Sequence, residues 1–145
     1  METESPLTHS LLTPILALVV WSLFMCLWLY ATRIPAIRRP GIDPAKAHLP
    51  GALDALPLSV KQVADNYNHL MEQPTIFYAL VVYTYLSGGQ DRISILLAWA
   101  YVALRVVHSL VQATVNFVPV RFGVFAVSTL VLIALAAKDV SALFG

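Results

Sequence analysis

The stretch LLTPILALVVWSLFMCLWLY, from Leu11 to Tyr30, carries no charged side chain. Crossing the ~30 Å hydrocarbon core of a bilayer takes about 20 helical residues, so this run predicts a spanning helix. Everything else in the chain has to fold beside it. Composition points the same way: of 145 residues, 59% are hydrophobic and 12% charged, against about 45–50% and about 25% in soluble domains. The expected class is an all-α integral membrane protein. A net charge of +1, with no basic stretch interleaved with aromatics, argues against a nucleic-acid partner. The opening METESPLTHS is acidic, unlike the basic start of a signal peptide, so the first apolar run is expected to stay in the mature protein. Cys26 is the only cysteine; it forms no intramolecular disulfide and reads as a small apolar residue packed in a helix.

Three more runs follow. Thr75 to Leu86 is too short to span alone, but extending it back through Glu72 and Asn68 to Lys61 gives a crossing length whose first half is polar. Ile93 to Val115 is long enough and carries Arg105 and His108, and Val118 to Ala137 has Arg121 near its entrance. The glycines of SGGQDR and the segment NFVP are expected to break the helices between these runs. One four-helix domain over residues 1–145 is therefore expected, with spans at about 10–31, 61–87, 92–116 and 118–138.

The connection at 33–60 holds Pro35, Pro40, Pro44, Pro50 and Pro57, a spacing that prevents a continuous helix. Its Arg33, Arg38, Arg39 and Lys46 place it on the cytoplasmic side by the positive-inside rule. Glu2, Glu4, Asp91–Arg92 and Lys138–Asp139 then fall on the other side. Both termini are expected outside the cytoplasm of a multi-pass protein, with the bacterial inner membrane as its expected location.

A polar seam runs through the second and third spans. At 1.5 Å per residue, Glu72 and Arg105 each lie about 16 Å from the cytoplasmic helix ends. His69 and His108 share a second level, and Asn66, Asn68 and Gln112 a third. Asp65, His69 and Glu72 share one helix face, as do Arg105, His108 and Gln112. An ionisable group inside a span costs about 2.5 kcal/mol or more, so such groups face a bundle interior or a hydrated cavity. The expectation is a polar pocket open to the cytoplasm, with a kink at Pro74 where it closes. A Glu72–Arg105 pair that only fixes helix register is the plainer alternative. A metal site is not expected: His69-x-x-Glu72 has suitable spacing, but Arg105 repels a cation. Ser109 and His108 point about 100° apart and form no dyad. Arginines with amides suit a small ligand bearing carboxylates. Trp21, Trp28, Tyr30, Tyr83, Tyr85, Trp99 and Tyr101 read as interface belt or packing, and Tyr78 is the one aromatic placed near the pocket.

The basic first loop, NHLMEQP (Asn68 to Pro74), LRVVHS (Leu104 to Ser109) and Arg121 at the head of the fourth helix resemble the MAPEG family, membrane-associated proteins in eicosanoid and glutathione metabolism. The resemblance covers nearly the whole chain. It implies a homotrimer of four-helix protomers, with glutathione as co-substrate in a cytoplasm-facing pocket between protomers and a lipophilic small-molecule substrate arriving among the membrane lipids. By the same resemblance Glu72 meets the glutathione amino group, Arg105 and His108 contribute to binding, and Arg121 is the catalytic residue that favours the thiolate. Asn68, His69 and Gln112 complete the expected binding set. The chain departs from the family pattern at Asp65 and Asn68, where an arginine is usual, at His69, which takes the place of an asparagine, and at Gln112, which replaces a tyrosine. The expected function is a glutathione-dependent transferase or peroxidase, the alternative a non-catalytic lipid-binding or regulatory membrane protein of the same fold.

Overall fold

The computed structural model describes residues 10–144. Glu2 and Glu4, assigned above to one side of the membrane, lie outside the described residues. Four long helices account for most of the chain: α1 (Thr13–Ile37), α2 (Leu58–Leu86), α3 (Arg92–Ala113) and α4 (Val118–Phe144). Of these, α1, α3 and α4 are long and apolar enough to cross a membrane, and the protein is an integral membrane protein.

Helix α1 runs six residues beyond the expected end near residue 31, straight through Pro35. In the last turn a proline removes only the donor to the Ala31 carbonyl. Tertiary packing supplies a reason to continue: Ala36 is buried with Leu56 and Val60, and Ile37, Ile42 and Leu53 close around them. The proline-rich connection is thus docked onto the helix ends by a small core. Within it, a 3-10 turn at Pro44–Lys46 is capped by the Asp43 carboxylate, which accepts from the Ala45 amide at 3.0 Å. Helix α2 then starts at Leu58, three residues earlier than expected, and continues through Pro74.

The two tight turns fall where expected. Gly88 takes a left-handed φ of +80°, a conformation that is free for glycine and strained for most residues. Gly89 sits so close to α2 that a Cβ would meet the Thr84 Cγ2 at 2.9 Å. Asp91 then caps α3, accepting from the Ser94 amide at 2.8 Å. Between α3 and α4, Asn116 turns the chain at φ +47°, and Pro119 sits in the first turn of α4, where its missing amide removes no helical bond.

Helices α1, α2 and α3 pack on one another, and α4 lies along α3 and α2. Leu18 and Met25 of α1, Leu70, Phe77 and Val81 of α2, Ala98 and Tyr101 of α3, and Leu132 and Leu135 of α4 share the main core. Phe77 stacks on Tyr101 with ring centroids 4.5 Å apart.

Side-chain hydrogen bonds fix the register. Asn66 Nδ2 donates to Ser109 Oγ at 2.6 Å, Arg105 Nη2 to the His69 carbonyl at 3.1 Å, and Tyr101 Oη to Gln73 Oε1 at 3.2 Å. Each step of three or four residues up α2 matches four down α3, so the pair is antiparallel. Helix α4 runs parallel to α2: Gln73 Nε2 donates to Thr129 Oγ1 at 2.8 Å, and Thr84 Oγ1 to Asp139 Oδ2 at 2.6 Å.

The outward surface is not uniform. On α1 and α4 it is apolar, with Leu16, Leu23, Leu27, Leu130 and Ile133 exposed as a lipid-facing helix requires. The outward face of α2 changes character along its length. Asp65, Asn68 and Glu72 are exposed in the first half, Ile76, Tyr83 and Leu86 in the second.

Candidate functional site

The residues expected to form one seam separate into three layers. The innermost lies between α2 and α3. Arg105 and Asn66 are fully buried there, and His108 and Gln112 nearly so. Arg105 reaches the His69 carbonyl and sits 5.6 Å over the ring of Phe125, a cation–π contact that offsets part of the cost of its burial. Its Nε and Nη1, Asn66 Oδ1, Gln112 Oε1 and His108 Nδ1 have no hydrogen-bond partner among the described residues. Buried polar atoms are rarely left so; Trp21 Nε1 and Ser94 Oγ are likewise unpartnered elsewhere, and of this inner layer His108 lines the neighbouring cleft, with Arg105 behind its Phe125.

The middle layer is that cleft, about 200 Å³, walled by His69 and His108 on one side and by Val118, Arg121, Phe122 and Phe125 of α4 on the other. The two imidazoles meet edge to face at 6.2 Å. Arg121 Nη1 donates to Asn116 Oδ1 at 2.7 Å, so the turn that redirects the chain also aims the guanidinium. Four α4 residues spaced i, i+3, i+4 and i+7 make one face. Phe122, Phe125 and Asn116 were not expected at the site, although the spacing of Val118, Arg121, Phe122 and Phe125 carries the signal.

The outer layer is the exposed face of α2. The expected meeting of Glu72 with Arg105 is corrected here: no ion pair joins them among the described residues. Glu72 is 65% exposed, and its Oε2 lies 3.0 Å from His69 Nδ1. Two physical reasons account for the difference. The equal depths followed from helix ends at Lys61 and Asn116, whereas the hydrogen-bond ladder sets Arg105 opposite His69. Rotation matters as much: Glu72 follows the buried Leu70 by two residues, about 200° around the helix, and so faces away from α3. Asn68 is exposed on this same outward side. Tyr78 packs beside Phe77 in the core and is not among the residues lining the cleft.

Small-molecule pockets run from about 300 Å³ upward; at about 200 Å³ and open to one side, this cleft is a wall of a site more than an enclosure. The fold and the cleft together define an α-helical membrane bundle with a basic, imidazole-lined recess at one end and a polar helix face directed out of the chain. The chain belongs to the MAPEG family, whose model matches residues 11–139. No curated protein and no solved structure matches it.

Proposed function

We propose that this chain is a glutathione-dependent transferase or peroxidase of the MAPEG type, acting on lipophilic substrates as a homotrimer in which all four helices cross the bilayer. One observation carries the reading. The outward face of α2 bearing Asp65, Asn68 and Glu72 adjoins a cleft that one chain only half encloses. Hydrocarbon cannot cover that face, whereas the polar wall of a second copy, with a hydrophilic ligand between, can. The connection at 33–60 lies on the cytoplasmic side, and the termini face the opposite one.

Glu72 and His69 offer acceptors to an ammonium group. Arg121 and His108 supply donors to carboxylate and sulfur, and Asn68 and Gln112 add amides. Arg105 contributes its charge from behind Phe125. A thiol with pKa about 8.5 is mostly protonated at neutral pH, and a guanidinium beside it favours the thiolate. Under this reading Arg121 does that work, and its hydrogen bond to Asn116 Oδ1 supports the assignment by fixing the guanidinium's direction. Phe122 and Phe125 line the approach for an apolar second substrate. In transfer, sulfur attacks an electrophilic carbon and a leaving group departs with its electron pair. In peroxide reduction, two glutathione thiols become a disulfide while the hydroperoxide becomes alcohol and water.

The test is titration calorimetry of the purified chain in detergent with glutathione. Saturable heat at millimolar ligand is expected, together with a roughly hundredfold lower turnover in Arg121→Gln, the scale typical of losing one charge-stabilising donor. Absence of heat ends the proposal. A non-catalytic lipid-binding role is favoured by one feature, the apolar lining from Val118, Phe122 and Phe125 beside an Arg121 already engaged by Asn116. Protection of the cleft by a lipid mixture, without protection by glutathione, decides for that role.

A further inference from the structure

A second recess, about 280 Å³, lies nearer the start of α2, between it, the end of α1 and the docked connection, and shares none of its lining with the imidazole cleft. Two cations, Arg33 and Lys61, and two carboxylates, Asp54 and Asp65, converge on it together with Asn68. These opposite charges do not neutralise one another: among the described residues no ion pair joins any two of them. Lys61 is fixed by donating to the Asp54 main-chain carbonyl at 2.7 Å. Arg33 and Asp65 have no partner among the described residues. The floor is apolar, made by Leu56 and Val60 of the small core that holds the connection in place.

Four unmatched charges of balanced sign around one recess suit a guest that carries both signs itself. The place in the fold identifies its source. Arg33 is the first charge after the uncharged run of α1, which sets the recess at headgroup level. On the segments that build it, Ile34 is 47% and Leu58 69% exposed, leaving aliphatic surface for an acyl chain. The cationic end of the guest is also constrained. Quaternary ammonium groups are held in aromatic cages, and no aromatic residue lines this recess; Asp65 and the Asn68 carbonyl instead offer hydrogen-bond acceptors, which a primary ammonium can use and a quaternary one, having no N–H, cannot.

We propose that the recess is a binding site for a zwitterionic aminophospholipid, with its phosphate between Arg33 and Lys61 and its primary ammonium on Asp65 and Asn68. The recess shares Asn68 and the Asp65 side of α2 with the face proposed for glutathione but none of the imidazole cleft's lining, so the two readings fail separately: a chain that fails to bind glutathione can still select this lipid.

The experiment uses the full chain in detergent, with lipid occupancy followed by native mass spectrometry during titration with phosphatidylethanolamine, phosphatidylcholine and phosphatidylglycerol of identical acyl chains. Phosphatidylethanolamine is expected to bind at least about tenfold more tightly than the other two, the scale of one charge-assisted bond. Asp65→Asn should erase the preference over phosphatidylcholine, and Arg33→Gln should weaken all three lipids about tenfold. Melting and oligomer size of each variant, measured alongside, separate lost binding from lost folding. Equal binding of the three lipids by the native chain, or a preference unchanged in both variants, overturns the proposal. Displacement by free phosphoethanolamine at an affinity equal to that of the lipid overturns the membrane as the source.

Discussion

Replacing Gln73 by leucine tests how the bundle is held together at mid-height. Among the described residues Gln73 is the one hydrogen-bonded through its side chain to both α3 and α4: Tyr101 donates to its carbonyl and its amide donates to Thr129. The Thr129 hydroxyl in turn donates to the Phe125 carbonyl at 2.9 Å, which also accepts from the Ser128 hydroxyl. In Gln73→Leu, Thr129 keeps a partner, but the Tyr101 hydroxyl is stranded on a residue only 1% exposed. A stranded buried hydroxyl costs about 1–3 kcal/mol, and a lost interhelical bond in a membrane protein about 0.6 kcal/mol. The sum is about 2 kcal/mol, roughly a thirtyfold shift in the unfolding equilibrium.

The assay is reversible unfolding in mixed micelles followed by helicity. The double variant carries the argument: Gln73→Leu with Tyr101→Phe removes the stranded hydroxyl as well as its partner, and should recover about 1 kcal/mol relative to Gln73→Leu alone. Simple additivity of the two single variants would refute the network reading. So would a loss below about 0.5 kcal/mol in Gln73→Leu, within the range of an ordinary surface change.

Two further outcomes concern the opposite end of the bundle. Asp91 pairs with Lys138 and accepts from the Ser94 amide, and these partners, Lys138 first, hold its pKa down from 3.8 to about 2. A depressed carboxylate stabilises the fold above its unfolded pKa and loses that contribution as pH falls through the folded one. The melting difference between the native chain and Asp91→Asn should therefore be full at pH 7 and fade between about pH 3.8 and pH 2; a difference that grows on acidification would contradict the pairing. Gly89→Ala places a Cβ 2.9 Å from Thr84 Cγ2 and 3.2 Å from the Thr84 carbonyl, and is expected to destabilise by about 1–3 kcal/mol, the usual range for overpacking. Gly88→Ala, whose Cβ meets nothing within 4 Å, should lose stability through its left-handed φ alone, and an unchanged melting point for both variants would rule out this account of the turn.

The parts of the fold governed by local chemistry were legible in the sequence. Uncharged length announced α1, the glycines of SGGQDR announced the turn at residues 87–91, and NFVP announced the one before α4. Ends set by tertiary packing were not: α1 passes Pro35 because Ala36 has a core to enter, built from Leu56 and Val60, which lie some 20 residues further on. The site divides along the same line. His69, His108 and Arg121 were recognisable as polar residues out of place in apolar runs, and they do line one cleft. The pairing of Glu72 with Arg105 failed because depth along a helix axis is only one of two coordinates. The second, rotation, advances about 100° per residue, so an error of two residues in judging which face is inward reverses the direction of a side chain.

Helix α2 joins fold to function through this same geometry. It is 29 residues long, about 43 Å at 1.5 Å per residue, sufficient to cross a bilayer, yet it is the helix whose composition does not announce a span. The reason lies on both its faces. Inward, Asn66 and Gln73 make the bonds that set its register against α3 and α4; outward, Asn68 and Glu72 supply the polar face of the proposed glutathione site, and Asp65 borders the recess beside the end of α1. An isolated helix carrying that load would be poorly placed in lipid, since each ionisable group near the centre costs about 2.5 kcal/mol or more. Within the bundle the inward groups are bonded to neighbouring helices, and under the proposed trimeric arrangement the outward ones face another protomer and its ligand. The feature that hides this helix from a hydropathy criterion is thus the feature that would make the site: residues that lipid rejects, kept at membrane depth because other helices receive them.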